Sequence, residues 1–209
     1  MTATPSVFAP LLLGFALGIR HALDPDHLAA MGTIVARERS PGRAALLGSM
    51  WGLGHSTSLL LASLVMIAWR IPVPAGVSHY LELLVAAMLI VIGVQSLLRP
   101  VAGYRSGAEG LPAAPRRTRP YLIGLVHGLA GSGGLALVVL PTLPDRLTAL
   151  VYVALFGIGS IGGMALWSAA LALPLGRLVH SGSPVKRWIP AISGIVSVGC
   201  GIALATQLA

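Results

Sequence analysis

Apolar residues run unbroken through six stretches of this chain, and polar residues collect between them. The stretches lie near 6–34, 43–69, 78–98, 120–141, 147–175 and 187–208. Each reaches the roughly 20 residues that a helix needs to cross a hydrocarbon core of about 30 Å. The first and fifth exceed that length, so the pattern predicts helices that tilt, break or run past the apolar layer. The clearest linker is VAGYRSGAEGLPAAPRRTRP at 101–120, rich in Gly, Pro and Arg. The chain therefore reads as one all-α transmembrane domain. A three-helix unit at 1–100 and another at 120–209 flank a linker at 101–119.

The two units resemble each other. GIRHAL at 18–23 matches GLVHGL at 124–129, an offset of 106, and WGLGHS at 51–56 matches FGIGSI at 156–161, an offset of 105. Gly93 and Gly199 differ by 106 again. The bland alternative is that Gly-rich membrane helices look alike. An odd number of spans per repeat points the halves in opposite directions. The expected architecture is six transmembrane helices in a 3+3 inverted repeat, with the site on broken helices near the midplane.

Loop charges predict the orientation. Arg37, Arg39 and Arg43 fall between the first two stretches, and Arg99, Arg105, Arg116, Arg117 and Arg119 between the third and fourth. Arg177, Lys186 and Arg187 fall between the last two. The even loops hold only Arg70 and Arg146. Positive charge stays on the cytoplasmic side. Loops 1–2, 3–4 and 5–6 are thus expected in the cytoplasm and both termini outside. MTATPSVFAP lacks the positive start of a signal peptide, so the first stretch is expected to remain in the mature protein.

One polar cluster interrupts the pattern. GIRHALDPDHLAAM at 18–31 puts Arg20, His21, Asp24, Asp26 and His27 inside the first stretch. Asp or Arg at membrane depth costs about 2.5–3.5 kcal/mol on insertion scales, so such residues are kept for a purpose. Pro25 has no N–H and pushes Asp24 out of helical angles, which predicts a break around Asp24–Asp26. Broken backbone is tolerated there only beside protein or a watery cavity. Two imidazoles and two carboxylates make a mixed N/O ligand set suited to first-row divalent metals. Sulfur is scarce and unclustered, against a Cu(I) site.

His55 follows in LGHST, with the hydroxyls of Ser56 and Thr57 beside it. His127 holds the repeat position of His21, and Ser160 that of His55. The run Gly131, Ser132, Gly133, Gly134 suggests a second broken or closely packed helix. The candidate metal residues are accordingly His21, Asp24, Asp26, His27, His55 and His127, with Arg20, Ser56, Thr57, Ser132 and Ser160 along the pathway. Against this stand plainer readings. A single membrane histidine is commonly a packing residue, Asp24 has the alternative of capping the next helical stretch, and Gly-rich patches are commonly helix contacts. His79, His180 and Glu82 sit near loops and read as solvated, with an entry-funnel role as the alternative for Glu82.

Composition closes off other classes. Of 209 residues, 56% are hydrophobic and 10% charged, with mean hydropathy +0.86. Soluble domains are about 25% charged. The net charge of +8 lies in short loops rather than on one face, and aromatics at 5% offer no stacking surface, which argues against nucleic acid. Cys200 alone makes neither an internal disulfide nor a CxxC pair. HExxH and GxxxxGK[ST] are absent, so neither metalloprotease nor P-loop chemistry is expected, and no enzymatic activity or organic cofactor is.

RHALDPDH, with its H-x4-D-H spacing from His21 to Asp26 and His27, resembles the first signature of the nickel/cobalt transporter family. LGHST at 53–57 looks like that family's second. The resemblance implies a secondary permease for Ni²⁺ or Co²⁺ in the cytoplasmic membrane, with His21, Asp26, His27 and His55 in the metal pathway. Typical members have eight helices, Ala where Pro25 stands, and a further signature in the second half. This chain is more similar to the short six-helix relatives, some of them associated with urease. Its linker has no histidine, unlike the related exporters, which favours uptake. The rivals are export of the same metals and delivery of metal to urease or hydrogenase. A small-anion carrier is disfavoured because the paired carboxylates would repel its cargo. Partners considered are the metal ion, the bilayer, a metallochaperone and a second copy of the chain. Neutral imidazole is the ligand form, so acid is expected to weaken binding.

Overall fold

The computed structural model describes residues 8–36, 38, 40–69, 75–98, 118–129, 139, 142–180 and 188–208. Seven α-helices occur among them: α1 (Phe8–His21), α2 (Pro25–Val35), α3 (Pro41–Trp69), α4 (Ala75–Leu98), α5 (Thr118–Leu129), α6 (Arg146–His180) and α7 (Ile189–Gln207). Four carry segments long and apolar enough to cross a membrane: Pro41–Ala68, Gly76–Leu98, Arg146–Pro174 and Ile189–Gln207. The fourth predicted stretch begins in α5, and its remainder, apart from Val139, falls outside the described residues. So do the linker at 101–117 and Ser132.

The first stretch is two helices, as Pro25 requires. Helix α1 ends at His21, and two tight bonds close its last turn, Leu23 N–H to the Arg20 carbonyl at 2.9 Å and Asp24 N–H to the His21 carbonyl at 3.0 Å. Asp24 then turns extended, φ −58° and ψ 142°, as a residue before proline must. Pro25 opens α2 at the position where its missing N–H is harmless. At 1.5 Å per residue, α1 rises about 21 Å and α2 about 16 Å. Neither reaches across a 30 Å core alone.

Long helices α3 and α6 pack on each other at the centre, α1 lies along α6, α5 lies along α3, and α4 pairs with α7. Short α2 touches α3, α4, α6 and α7. Glycines allow the closest approaches. A methyl group on Gly18 would overlap the Phe156 carbonyl, and one on Gly124 the Trp51 carbonyl. Gly54 meets the backbone of Tyr121 and Leu125, while Gly159 meets that of Phe15 and Ile19. Each second contact is the first with its partners moved by 105 or 106 residues. The third sequence match is not repeated in packing: Gly199 faces open space, and Gly93 packs on Gly194.

The outward faces are apolar, and buried polar residues share the interior with an apolar core that includes Trp51, Tyr152, Phe156 and Leu89. Leu61, Val91, Ile158 and Ile195 point outward from the four long helices. The fully buried positions include His27, His55, His127, Ser63, Ser160 and Ser197. An apolar exterior with the polar groups kept inside is what a lipid solvent selects.

Candidate metal centre

Four helices deliver one imidazole each to a common centre. His21 is the last residue of α1, His27 lies in the first turn of α2, His55 is midway along α3 and His127 is near the end of α5. All four are buried, none above 2% exposure. Ring centroids stand 4.4 Å apart for His21 and His27, 4.2 Å for His27 and His127, and 5.0 Å for His21 and His55. The helix break creates this geometry. It lets His21 and His27 face one point from two helix ends, which an unbroken helix would place on a drifting face.

The two carboxylates stand behind the rings. Asp24 Oδ2 is 2.7 Å from His21 Nδ1. Asp26 Oδ1 is 3.0 Å from His27 Nδ1 and accepts the His27 backbone N–H at 2.9 Å. Asp26 Oδ2 is 3.0 Å from His127 Nε2. An ionised carboxylate only accepts, so the facing ring nitrogens are the protonated ones. His21 Nε2 is then bare and accepts from His55 Nε2–H at 3.1 Å. That leaves lone pairs on His27 Nε2, His55 Nδ1 and His127 Nδ1, and these three buried atoms have no hydrogen-bond partner. A buried polar atom left unsatisfied costs about 1–3 kcal/mol. A cation would offset that cost. Histidine held by a carboxylate on one nitrogen and free on the other is the arrangement of metal-ligating imidazoles.

One nitrogen from each of His21, His27 and His55 falls within 4.8 Å of the others, and so do ligand atoms of Asp26, His27 and His127. Carboxylate-backed imidazoles suit Zn, Cu, Fe or Ni rather than Mg or Ca.

A family model described as "High-affinity nickel-transport protein" matches residues 7–106. The urease accessory protein UreH of Bacillus sp. (strain TB-90) is 32% identical over 202 residues, covering 92% of this chain and 88% of that one. The chain belongs to the high-affinity nickel-transport protein family. The high-affinity nickel transport protein of Cupriavidus necator is 38% identical over 63 residues, 30% of this chain and 18% of its own. The chloroplast protein FOR GROWTH AND FERTILITY 1 of Arabidopsis thaliana is 24% identical over 211 residues, 91% of this chain and 57% of that one. No solved structure matches.

In this nickel-transport family member the remaining sequence candidates divide. Arg20, next to His21 in the chain, is exposed. Ser56 binds across to the Gly157 carbonyl at 3.1 Å, a contact between α3 and α6. Thr57 binds back to the Leu53 carbonyl at 2.7 Å within its own helix. Ser160 is fully buried with its hydroxyl unpartnered. Asp24 makes no side-chain cap for α2; its carboxylate turns to His21 instead. Sequence reasoning missed Trp51, fully buried and stacked on His27 with centroids 5.3 Å apart. It also missed Phe156, whose ring lies 5.4 Å from His21. The signal was present: Trp51 and His55 are four apart in α3 and share a face.

Proposed function

We propose that this chain is a secondary permease that carries Ni²⁺ or Co²⁺ into the cell through the cytoplasmic membrane. The observation that carries the reading is the set of four buried imidazoles, three with unpartnered nitrogens, backed by Asp24 and Asp26. Family membership supplies the metal. The aqua ion sheds water stepwise as His21, His27, His55 and His127 replace it, with Asp24 and Asp26 orienting the rings and compensating charge. The Trp51 and Phe156 rings exclude water around the ion.

The architecture of this reading is six spans in a 3+3 inverted repeat, with α1 and α2 as two parts of the first. The exchanged glycine contacts and the pairing of α1 with α6 and α5 with α3 support it. Rocking of one repeat against the other changes the open side. The loop arginines support a cytoplasmic side for loops 1–2, 3–4 and 5–6.

The test is uptake of radioactive nickel into proteoliposomes of known orientation. Wild type accumulates metal, and His27→Ala accumulates none while keeping its helical signal. Wild-type uptake by that variant would sink the proposal. The name of the UreH relative supports a second reading, in which the chain hands metal to a urease. Nickel accumulation in cells without urease separates the two.

A further inference from the structure

Among the described residues the ligand groups at this centre are two, and they share one residue. His21, His27 and His55 form one; Asp26, His27 and His127 form the other. We propose that the metal occupies two adjacent, mutually exclusive positions in turn, with His27 a ligand in both. The inference rests on the nickel-permease reading and adds the path of the ion within the site.

The ring of His27 makes a handover practicable without a rotamer change. Its Nε2 is buried and unpartnered. Its Nδ1 faces Asp26 Oδ1 at 3.0 Å. In the first position His27 offers Nε2 while its Nδ1–H stays on Asp26. In the second it offers Nδ1: the Nδ1 proton passes to a water carried in by the ion and Nε2 takes up a proton from such a water, so the ring stays neutral throughout. Trp51, stacked on the same ring, holds its plane through the exchange.

The two positions differ in charge. The first surrounds the dication with three neutral rings, and the carboxylates lie one ring away. The second brings in Asp26 directly and lowers the net charge of the centre by one. Each position also belongs to a different neighbour helix: His55 on α3 serves only the first, and His127 on α5 only the second. Two dications separated by one imidazole in a low-dielectric interior repel strongly, so only one position is filled at a time. A transporter gains from such a pair. An ion held by every ligand at once would be bound too tightly to leave, whereas two partial sets sharing one ring let it step across.

The experiment uses purified full-length chain in lipid nanodiscs with Ni²⁺ alone as the probe, followed by uptake in proteoliposomes. His55→Gln and His127→Gln are the informative variants. Glutamine keeps an N–H donor for His21 or Asp26, so the hydrogen-bonded frame survives, yet it ligates nickel poorly. Wild type is expected to bind a single ion. Each variant is expected to bind a single ion too, with the affinity of the position it keeps; the binding constants of exclusive positions add, so at least one of the two variants should bind within about twofold of wild type. X-ray absorption should count three imidazoles on the ion in His127→Gln and two in His55→Gln. Neither variant should transport. His27→Ala should bind nothing. Wild-type transport by His127→Gln, complete loss of binding in His55→Gln, or two ions bound together in wild type would each overturn the two-position inference. Those outcomes leave the permease reading standing. A wild-type chain that binds no Ni²⁺ would remove both.

Discussion

Asp26 is the residue on which the centre turns, because its two oxygens hold two rings on two helices, His27 at 3.0 Å and His127 at 3.0 Å. Asp26→Asn keeps the volume but turns one acceptor into a donor, so one ring must face an N–H or flip. Nickel affinity is expected to fall roughly 10–100-fold, as when a metal-ligand orienting group is lost. Equilibrium dialysis against buffered Ni²⁺ measures it, and an unchanged affinity would show that the rings are held by packing alone. Trp51 acts through packing. Removing a buried aromatic ring costs about 3–5 kcal/mol, so Trp51→Ala should lower the unfolding midpoint in detergent far more than Trp51→Phe, which keeps a face against His27. At this scale the histidines were readable because ionisable residues inside apolar runs are conspicuous. The part played by Asp24 was not readable. Its side chain had two partners within reach, the α2 amides and the His21 ring, and the turn closed by Leu23 and Asp24 decides for the ring.

Helix ends set the positions of these residues, and one such end went unnoticed in the sequence. Asp145 caps α6: its Oδ1 accepts the Thr148 N–H at 2.9 Å and its Oδ2 accepts the Thr148 hydroxyl at 2.7 Å. The spacing D-x-x-T was legible, but beside a long apolar run a single polar pair carries little signal. The Thr148 amide, its hydroxyl and the Leu147 amide hold the Asp145 carboxyl below its ordinary value of 3.8. A depressed carboxyl stabilises the fold fully above the unfolded value and loses that contribution as pH falls through the lower folded value. Asp145→Ala is therefore expected to unfold at lower temperature than wild type at neutral pH, and the difference should vanish in strong acid. Thermal scans followed by circular dichroism across that range check the sign. The break between α1 and α2 is the opposite case. Pro25 announced it, since no side chain chemistry rescues a helical N–H that proline lacks.

Across the whole molecule, the most demanding idea is that the two halves exchange contacts. Sequence offsets near 106 hinted at it, and the glycines give it a physical form: Gly54 against Tyr121 and Leu125, and Gly159 against Phe15 and Ile19, are the same contact with the halves swapped. The offset itself was a poor guide in the third helix of each half, because Gly93 meets Gly194 while Gly199 meets nothing. Packing selects a small residue where backbones cross, and that place shifts along a helix more freely than a ligand does. If the halves are equivalent under inversion, bulk added at equivalent crossings must have equivalent effects. Gly54→Val and Gly159→Val should each abolish nickel uptake and lower the unfolding midpoint by similar amounts. Gly162→Ala and Gly199→Ala, with nothing near either position, should keep full uptake and gain slightly in stability, since Gly inside a helix costs roughly 0.5–1 kcal/mol against Ala. Uptake assays with matched melting curves for the four variants decide it. A large loss at Gly54 beside a silent change at Gly159 would mean that the two crossings bear different loads, and the rocking of like halves would lose its structural basis.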